Sequence, residues 1–154
     1  MYAITADHHL WEHAPGGWAF LSAGSFQSVS GGRNGAGNAV VYSVLTDASL
    51  WEYNPSFAGT HWQNLSPAGS ILAATAAGVD QVFAVTADHH LWQHMLSSGW
   101  LLTSLATVAS ISGENNGGAG EVFAVLSDAS LWEDTGIWAL LDTGVLAAAA
   151  PRRM

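Results

Sequence analysis

All eight tryptophans of this 154-residue chain obey one scheme. Trp11, Trp51, Trp92 and Trp132 each close an Asp-x-x-Leu-Trp phrase, and Trp18, Trp62, Trp100 and Trp138 each follow one of them. The phrases Asp7-His8-His9-Leu10-Trp11, Asp47-Ala48-Ser49-Leu50-Trp51, Asp88-His89-His90-Leu91-Trp92 and Asp128-Ala129-Ser130-Leu131-Trp132 start 40, 41 and 40 residues apart. Self-similarity at that period is the signature of a repeat array whose units bury their apolar faces against one another. The units run over about 1–38, 39–80, 81–121 and 122–154 as one array, not as four domains.

The third unit reads most clearly as structure. Val82–Thr86, Leu91–His94, Gly99–Thr103 and Val108–Ser112 are short β-rich runs separated by turn formers, which predicts a four-stranded antiparallel meander. Aspartate in the repeated phrase can bond its own backbone two residues on and open a tight turn, after which Leu and Trp point to opposite faces of the sheet. A sheet that is apolar on both faces must be covered twice, and radial stacking of such sheets does this. The expected fold is all-β: a β-propeller with four four-stranded blades in one chain. Gly31–Asn38 and Gly113–Gly120 read as surface connections between units, since neither opens a helix nor carries a Gly-Lys-Ser element.

Units one and three share Thr-Ala-Asp-His-His-Leu-Trp, while units two and four share Asp-Ala-Ser-Leu-Trp-Glu, so the longer period is a pair spanning 81 residues. The run Val145–Ala149 matches Ile71–Thr75, the strand that precedes unit three, which predicts that the C-terminal strand completes the first blade. Completion between two chains would make an eight-bladed homodimer; completion within one would make a four-bladed monomer. The dimer is the favoured expectation, with a trimeric ring as a third outcome.

The phrase Val82–Trp92 with its Gly-Trp follow-up resembles the repeats of tectonin-like and related bacterial β-propeller lectins, and the likeness extends over all four units. Such repeats carry Asp-Gly at the turn, whereas this chain has Asp-His and Asp-Ala in alternation. The resemblance implies a propeller fold and non-enzymatic recognition of sugars at several equivalent pockets between blades.

Composition bears on partners. A net charge of −9, with no lysine and only three arginines, disfavours nucleic acid and anionic membrane surfaces. Neutral saccharides fit better, because indoles stack on the apolar faces of sugars beside neutral hydrogen-bonding groups. Trp11, Trp51, Trp92 and Trp132, beside leucines at fixed positions, read as wedges between blades. Trp18, Trp62, Trp100 and Trp138, near the expected outer strand, are the stacking candidates, with His8, His9, His89 and His90 as polar loop candidates. Within one unit the histidines make no metal site: neighbours on a strand face opposite ways, and residues four apart lie about 13 Å from each other. The repeated Asp7, Asp47, Asp88 and Asp128 suit turns, not an acid/base pair, and no nucleophile-elbow phrase occurs, so neither enzymatic activity nor a cofactor is expected. No cysteine, leader-like segment or long apolar stretch appears. The alternative from a different class is a structural or protein-interaction propeller, a repeat fragment or engineered half-ring, in which every Trp is buried and no small ligand exists.

Overall fold

A computed structural model describes residues 1–104, 107–116 and 119–148. Those residues form strands and no helix, so no helix among them is long and apolar enough to cross a membrane. The first sheet holds β1 (Tyr2–Ile4), β2 (Leu10–Ala14) and β3 (Gly17–Ser22); the second holds β4 (Phe26–Arg33), β5 (Ala39–Leu45), β6 (Leu50–Tyr53) and β7 (Trp62–Ser66). The third is β8 (Ile71–Ala76), β9 (Gln81–Thr86), β10 (Leu91–Met95) and β11 (Gly99–Ser104), and the fourth is β12 (Val108–Asn116), β13 (Ala119–Leu126), β14 (Ser130–Asp134) and β15 (Trp138–Thr143). Every sheet is an antiparallel meander in chain order.

Among the described residues three sheets have four strands and the first has three. Of the run expected to complete that first sheet, Val145–Ala148 form no strand, and Ala149 lies outside the described residues. The sheets are also cut one strand earlier than the meander read from the sequence. Val108–Ser112 is not the last strand of the third sheet but the first of the fourth, because it pairs with the strand after it, Ile111 opposite Ala124 and Gly113 opposite Val122.

The glycine-rich runs, expected as connections between units, contribute to strands that pair within one sheet instead, with residues 117–118 of the second run outside the described residues. Gly31, Gly32 and Arg33 pair with Val41, Val40 and Ala39. Their glycines answer to close approach of neighbouring sheets: a Cβ on Gly32 would stand 3.1 Å from the Ala76 Cβ. The first strands of the sheets lie side by side, β1 on β4, β4 on β8 and β8 on β12, and so form the inner edge of the array. Their hydroxyls bond across it: the Ala76 N–H donates to Ser30 Oγ at 2.9 Å, and the Gly113 N–H to Thr75 Oγ1 at 2.9 Å.

Each junction between sheets is an apolar core. Leu10, Phe26 and Val41 are buried between the first and second sheets; Tyr42, Leu50, Ile71 and Val82 between the second and third; Phe83, Leu91, Val108 and Val122 between the third and fourth. Leu10, Leu50 and Leu91 of the repeated phrase are thus buried, Leu131 is half-buried, and the adjacent tryptophans keep partial exposure on the opposite face, as alternation along a strand requires. Glu52 is also enclosed. Desolvation pushes its carboxyl above the usual range, only partly offset by the hydrogen bond that Asn54 Nδ2 donates to Oε1.

The turns of the repeated phrase are made without glycine. His8, Ala48, His89 and Ala129, the second residues of the four phrases, all have left-handed φ between 60° and 64°. Each donates its N–H three residues back, to Thr5, Leu45, Thr86 and Leu126, a type I turn followed by a left-handed residue. That conformation costs an L-residue about 1–2 kcal/mol. The histidines have a compensating contact, since His8 Nδ1 lies 3.0 Å from Phe26 O and His89 Nδ1 3.0 Å from Val108 O, both on the following sheet. The alanines have none. Ala48→Gly and Ala129→Gly are therefore expected to raise stability by about 0.5–1 kcal/mol each, after the entropic cost of glycine in the unfolded chain. His8→Gly and His89→Gly should gain nothing, because each loses a hydrogen bond worth about 1 kcal/mol. Urea denaturation of the four variants checks the contrast.

Candidate functional site

Trp51, Trp62, Trp92, Trp100 and Trp138 lie at the junctions between sheets. Trp11, Trp51, Trp92 and Trp132 lie on β2, β6, β10 and β14, one strand in from the outer edge, while Trp18, Trp62, Trp100 and Trp138 are the first or second residues of the outermost strands β3, β7, β11 and β15. All eight keep accessible surface, Trp18 most, at 52%. The alternative reading in which every indole is shielded does not describe these residues.

Two clefts repeat the same construction. Between the second and third sheets, Leu65, Ser66, Pro67, Ile71, Thr86, Trp92 and Trp100 enclose about 350 Å³. Between the first and second, Ser22, Gly24, Phe26, Leu45, Trp51, Thr60 and Trp62 enclose about 290 Å³. Strand register makes them counterparts. Leu50 pairs with Ser66 as Leu10 pairs with Ser22, and Ile71 pairs with Thr86 as Phe26 pairs with Leu45. Trp92 and Trp100 hold in one the places that Trp51 and Trp62 hold in the other. Of the expected stacking candidates, Trp62 and Trp100 thus line clefts, each beside a tryptophan that the sequence reading took for a wedge. Trp18 and Trp138 line neither of these two.

A β-bulge builds part of the wall of the cleft between the second and third sheets, at Leu65. In every sheet the register shifts between the Leu and the Trp of the repeated phrase, leaving Leu21, Leu65, Thr103 and Leu141 as extra residues on the outer strands. A bulged residue is left out of the ladder, and its carbonyl can accept a bond from elsewhere. The next sheet uses it: Trp100 Nε1 donates to Leu65 O at 3.1 Å, and Trp138 Nε1 to Thr103 O at 3.2 Å. These bonds pin consecutive blades and fix the indole planes. His94, whose ring lies 4.9 Å from that of Trp100, has its pKa lowered by desolvation, which disfavours a charge beside that indole.

The polar groups at the turns differ between units. In the second and fourth, Ser49 and Ser130 donate to Asp47 and Asp128 at 2.6 Å and accept from Trp51 and Trp132 at 3.0 and 2.9 Å. In the first and third, His9 and His90 stand where those serines do and turn Nδ1 to Asp7 and Asp88, at 3.0 and 2.7 Å. Bonded first by the Thr86 hydroxyl and then by His90, the Asp88 carboxyl is held down at about 2. Of the four candidate histidines, His8 and His89 therefore staple their turns to the next sheet, whereas His9 and His90 pair with turn aspartates. Sequence reasoning passed over Ser49, Ser130 and Thr86. The signal available for them was the alternation of Asp-His-His with Asp-Ala-Ser.

Fold and clefts together define a class: an all-β array of propeller-type blades with tryptophan-lined recesses at its junctions. No protein-family description matches the chain, and no curated protein matches it in sequence. Solved structures do match its fold. The fucose-specific lectin from Aleuria aurantia is 17% identical, with a TM-score of 0.52 over 92% of this chain and 56% of that one. The N224Q mutant of that lectin in complex with Fucα1-6GlcNAc is 18% identical, with a TM-score of 0.51 over 93% and 57%. The structure of Kap60 bound to yeast RCC1 (Prp20) matches at 9% identity, with a TM-score of 0.52 over 76% and 33%. The chain thus spans about a third to just over half of the length of the chains it matches, and at these identities the likeness is one of fold.

Proposed function

We propose that this chain is a non-enzymatic, tectonin-like carbohydrate-binding propeller module that holds neutral saccharides in the clefts between consecutive blades. The observation that carries the reading is the recurrence of one cleft at two junctions, each walled by two partly exposed indoles and a few hydroxyls. Clefts near 300 Å³ sit at the small end of ligand sites. A sugar ring laid against an indole buries its C–H face while its hydroxyls meet neutral groups, which suits a site without lysine or arginine. The fucose-specific lectin named above shares the fold, so fucosides are the first probes.

Titration with methyl α-L-fucoside, methyl α-D-mannoside and N-acetylglucosamine, followed by tryptophan fluorescence and calorimetry, should show saturable binding of at least one. Trp100→Ala and Trp62→Ala should each remove one class of site. No binding at millimolar sugar would overturn the proposal in favour of a scaffold or protein-interaction role.

The same reading includes closure of the ring with a second copy. The Val145 N–H donates to Ala129 O at 2.9 Å, as those of Phe26, Ile71 and Val108 do to His8, Ala48 and His89, so the chain leaves the fourth blade aimed like the start of another inner strand. The three-stranded first sheet offers the place for it. Trp18, 52% exposed, and the bulged Leu141, 48% exposed, are the counterparts of the pairs that Trp100 and Trp138 make at internal junctions. Light scattering should give twice 16.1 kDa; a monomeric mass overturns closure and leaves the internal clefts unaffected.

A further inference from the structure

The clefts share a plan but not a hydrogen-bonding inventory, and the difference traces to a single repeat position. A residue two before a tryptophan on a strand shares its face. Where that residue is serine, its Oγ consumes the indole N–H, as Ser49 does for Trp51 and Ser130 for Trp132. Where it is histidine, the ring is drawn off to the turn aspartate instead. His90 Nδ1 sits 2.7 Å from Asp88 Oδ2, and Trp92 Nε1 has no acceptor among the described residues. Trp92 is half-buried in the wall of the cleft between the second and third sheets.

Beside it stands Thr86, where the neighbouring cleft has Leu45. The Thr86 hydroxyl hydrogen is committed to Asp88 at 2.6 Å, which leaves its oxygen able to accept. This cleft therefore combines an apolar floor, a donor that is unspent and an acceptor beside it. That complement fits one hydroxyl of a sugar accepting from the indole and another donating to threonine. In the cleft between the first and second sheets Trp51 is already satisfied, Leu45 has no polar group, and the unpaired indole is the outer Trp62. At the third junction both Trp132 and Trp138 are spent, on Ser130 and on Thr103 O.

We infer that the Trp92–Trp100 cleft is the stronger saccharide site of the described chain, that Trp92 N–H is the donor to the sugar, and that His90 is the positioning residue that leaves this donor free. The inference rests on the saccharide reading. It extends that reading by making the sites unequal and by assigning the inequality to the His/Ser alternation.

The test uses whichever of the three sugars binds the full chain. Trp92→Phe keeps an aromatic face but deletes the N–H, and should weaken the tighter class of site about tenfold, since a sugar hydroxyl is left without its partner. Trp51→Phe should leave that class unchanged. His90→Ser installs the serine that satisfies Trp51 in the second unit and should weaken binding to a similar extent. In the Trp92→Phe background it should have no further effect, because no N–H remains to be captured. Thermal melts verify that each variant is folded. Wild-type affinity in Trp92→Phe, or an equal loss in Trp51→Phe, would overturn the assignment. A loss on His90→Ser that persists in the double variant would make His90 a direct contact and overturn its positioning role. Failure of the wild-type chain to bind any sugar would instead remove the underlying function and is distinguished by needing no variant.

Discussion

Leu50→Ala should lower stability by about 2–5 kcal/mol, a drop of roughly 5–20 °C in melting temperature for a domain of this size. Leu50 is wholly enclosed, and the cluster around it draws from both sides of one junction: Val40, Tyr42 and Val44 from the second sheet, Ile71, Val82 and Ala84 from the third. Removing its branched end leaves a void that two rigid sheets cannot close without sliding over one another. Trp100 packs against the same cluster, and Ile71 also lines the cleft. The variant should therefore lose affinity for sugar together with stability, whereas Trp92→Phe loses affinity alone. Leu141→Ala is the control of equal chemistry: at 48% exposure in the single chain it should shift stability by no more than about 0.5 kcal/mol while the chain is a monomer. Urea denaturation of both variants, read by tryptophan emission, measures the difference; a loss below about 1 kcal/mol for Leu50→Ala would mean that the junctions are not packed cores.

Much of this architecture is legible in the sequence, because its repeat is local. The period of the Asp-x-x-Leu-Trp phrase, the strand-length apolar runs and the turn aspartates are all near-neighbour features, and the strands Gln81–Thr86, Leu91–Met95 and Gly99–Ser104 lie where the runs place them. What escaped the reading depends on which repeat faces which. Val108–Ser112 carries no mark of belonging with the hairpin after it, because only its register with β13 assigns it. Glycine runs look alike whether they loosen a loop or let two backbones approach, and Gly32 and Gly113 do the latter. The pairing of Trp92 with Trp100 inside one cleft, and of Trp100 with the carbonyl of Leu65 across it, arises from the stacking of blades and has no trace in spacing. The alternation of histidine and serine was visible, but its consequence for the indole N–H needed the side chains in place.

Gly113→Ala should cost about 1–3 kcal/mol or more, and Gly31→Ala, at the same place in the repeat, should cost less than about 0.5 kcal/mol while the chain is a monomer. Gly31, Ala76 and Gly113 are equivalent positions on successive inner strands, opposite Val41, Val82 and Val122. Their surroundings are not equivalent. A Cβ on Gly113 would lie 2.4 Å from the Ala76 carbonyl oxygen and 3.0 Å from Thr75 Oγ1, the atom that accepts the Gly113 N–H. Backbone cannot step aside as a side-chain tip can, so β12 would have to part from β8. Among the described residues a Cβ on Gly31 meets only the Tyr2 ring, at 3.5 Å, because the first sheet has there no strand inside β1 to press against β4. That asymmetry reports on ring closure. If a second copy inserts an inner strand beside β1, Gly31 acquires the crowding that Gly113 already has, and Gly31→Ala then weakens the dimer while sparing the monomer. Sedimentation of the Gly31→Ala variant over a range of concentrations should show dissociation where the wild-type chain remains paired. An unchanged dimer would mean that any partner docks elsewhere than on this inner edge.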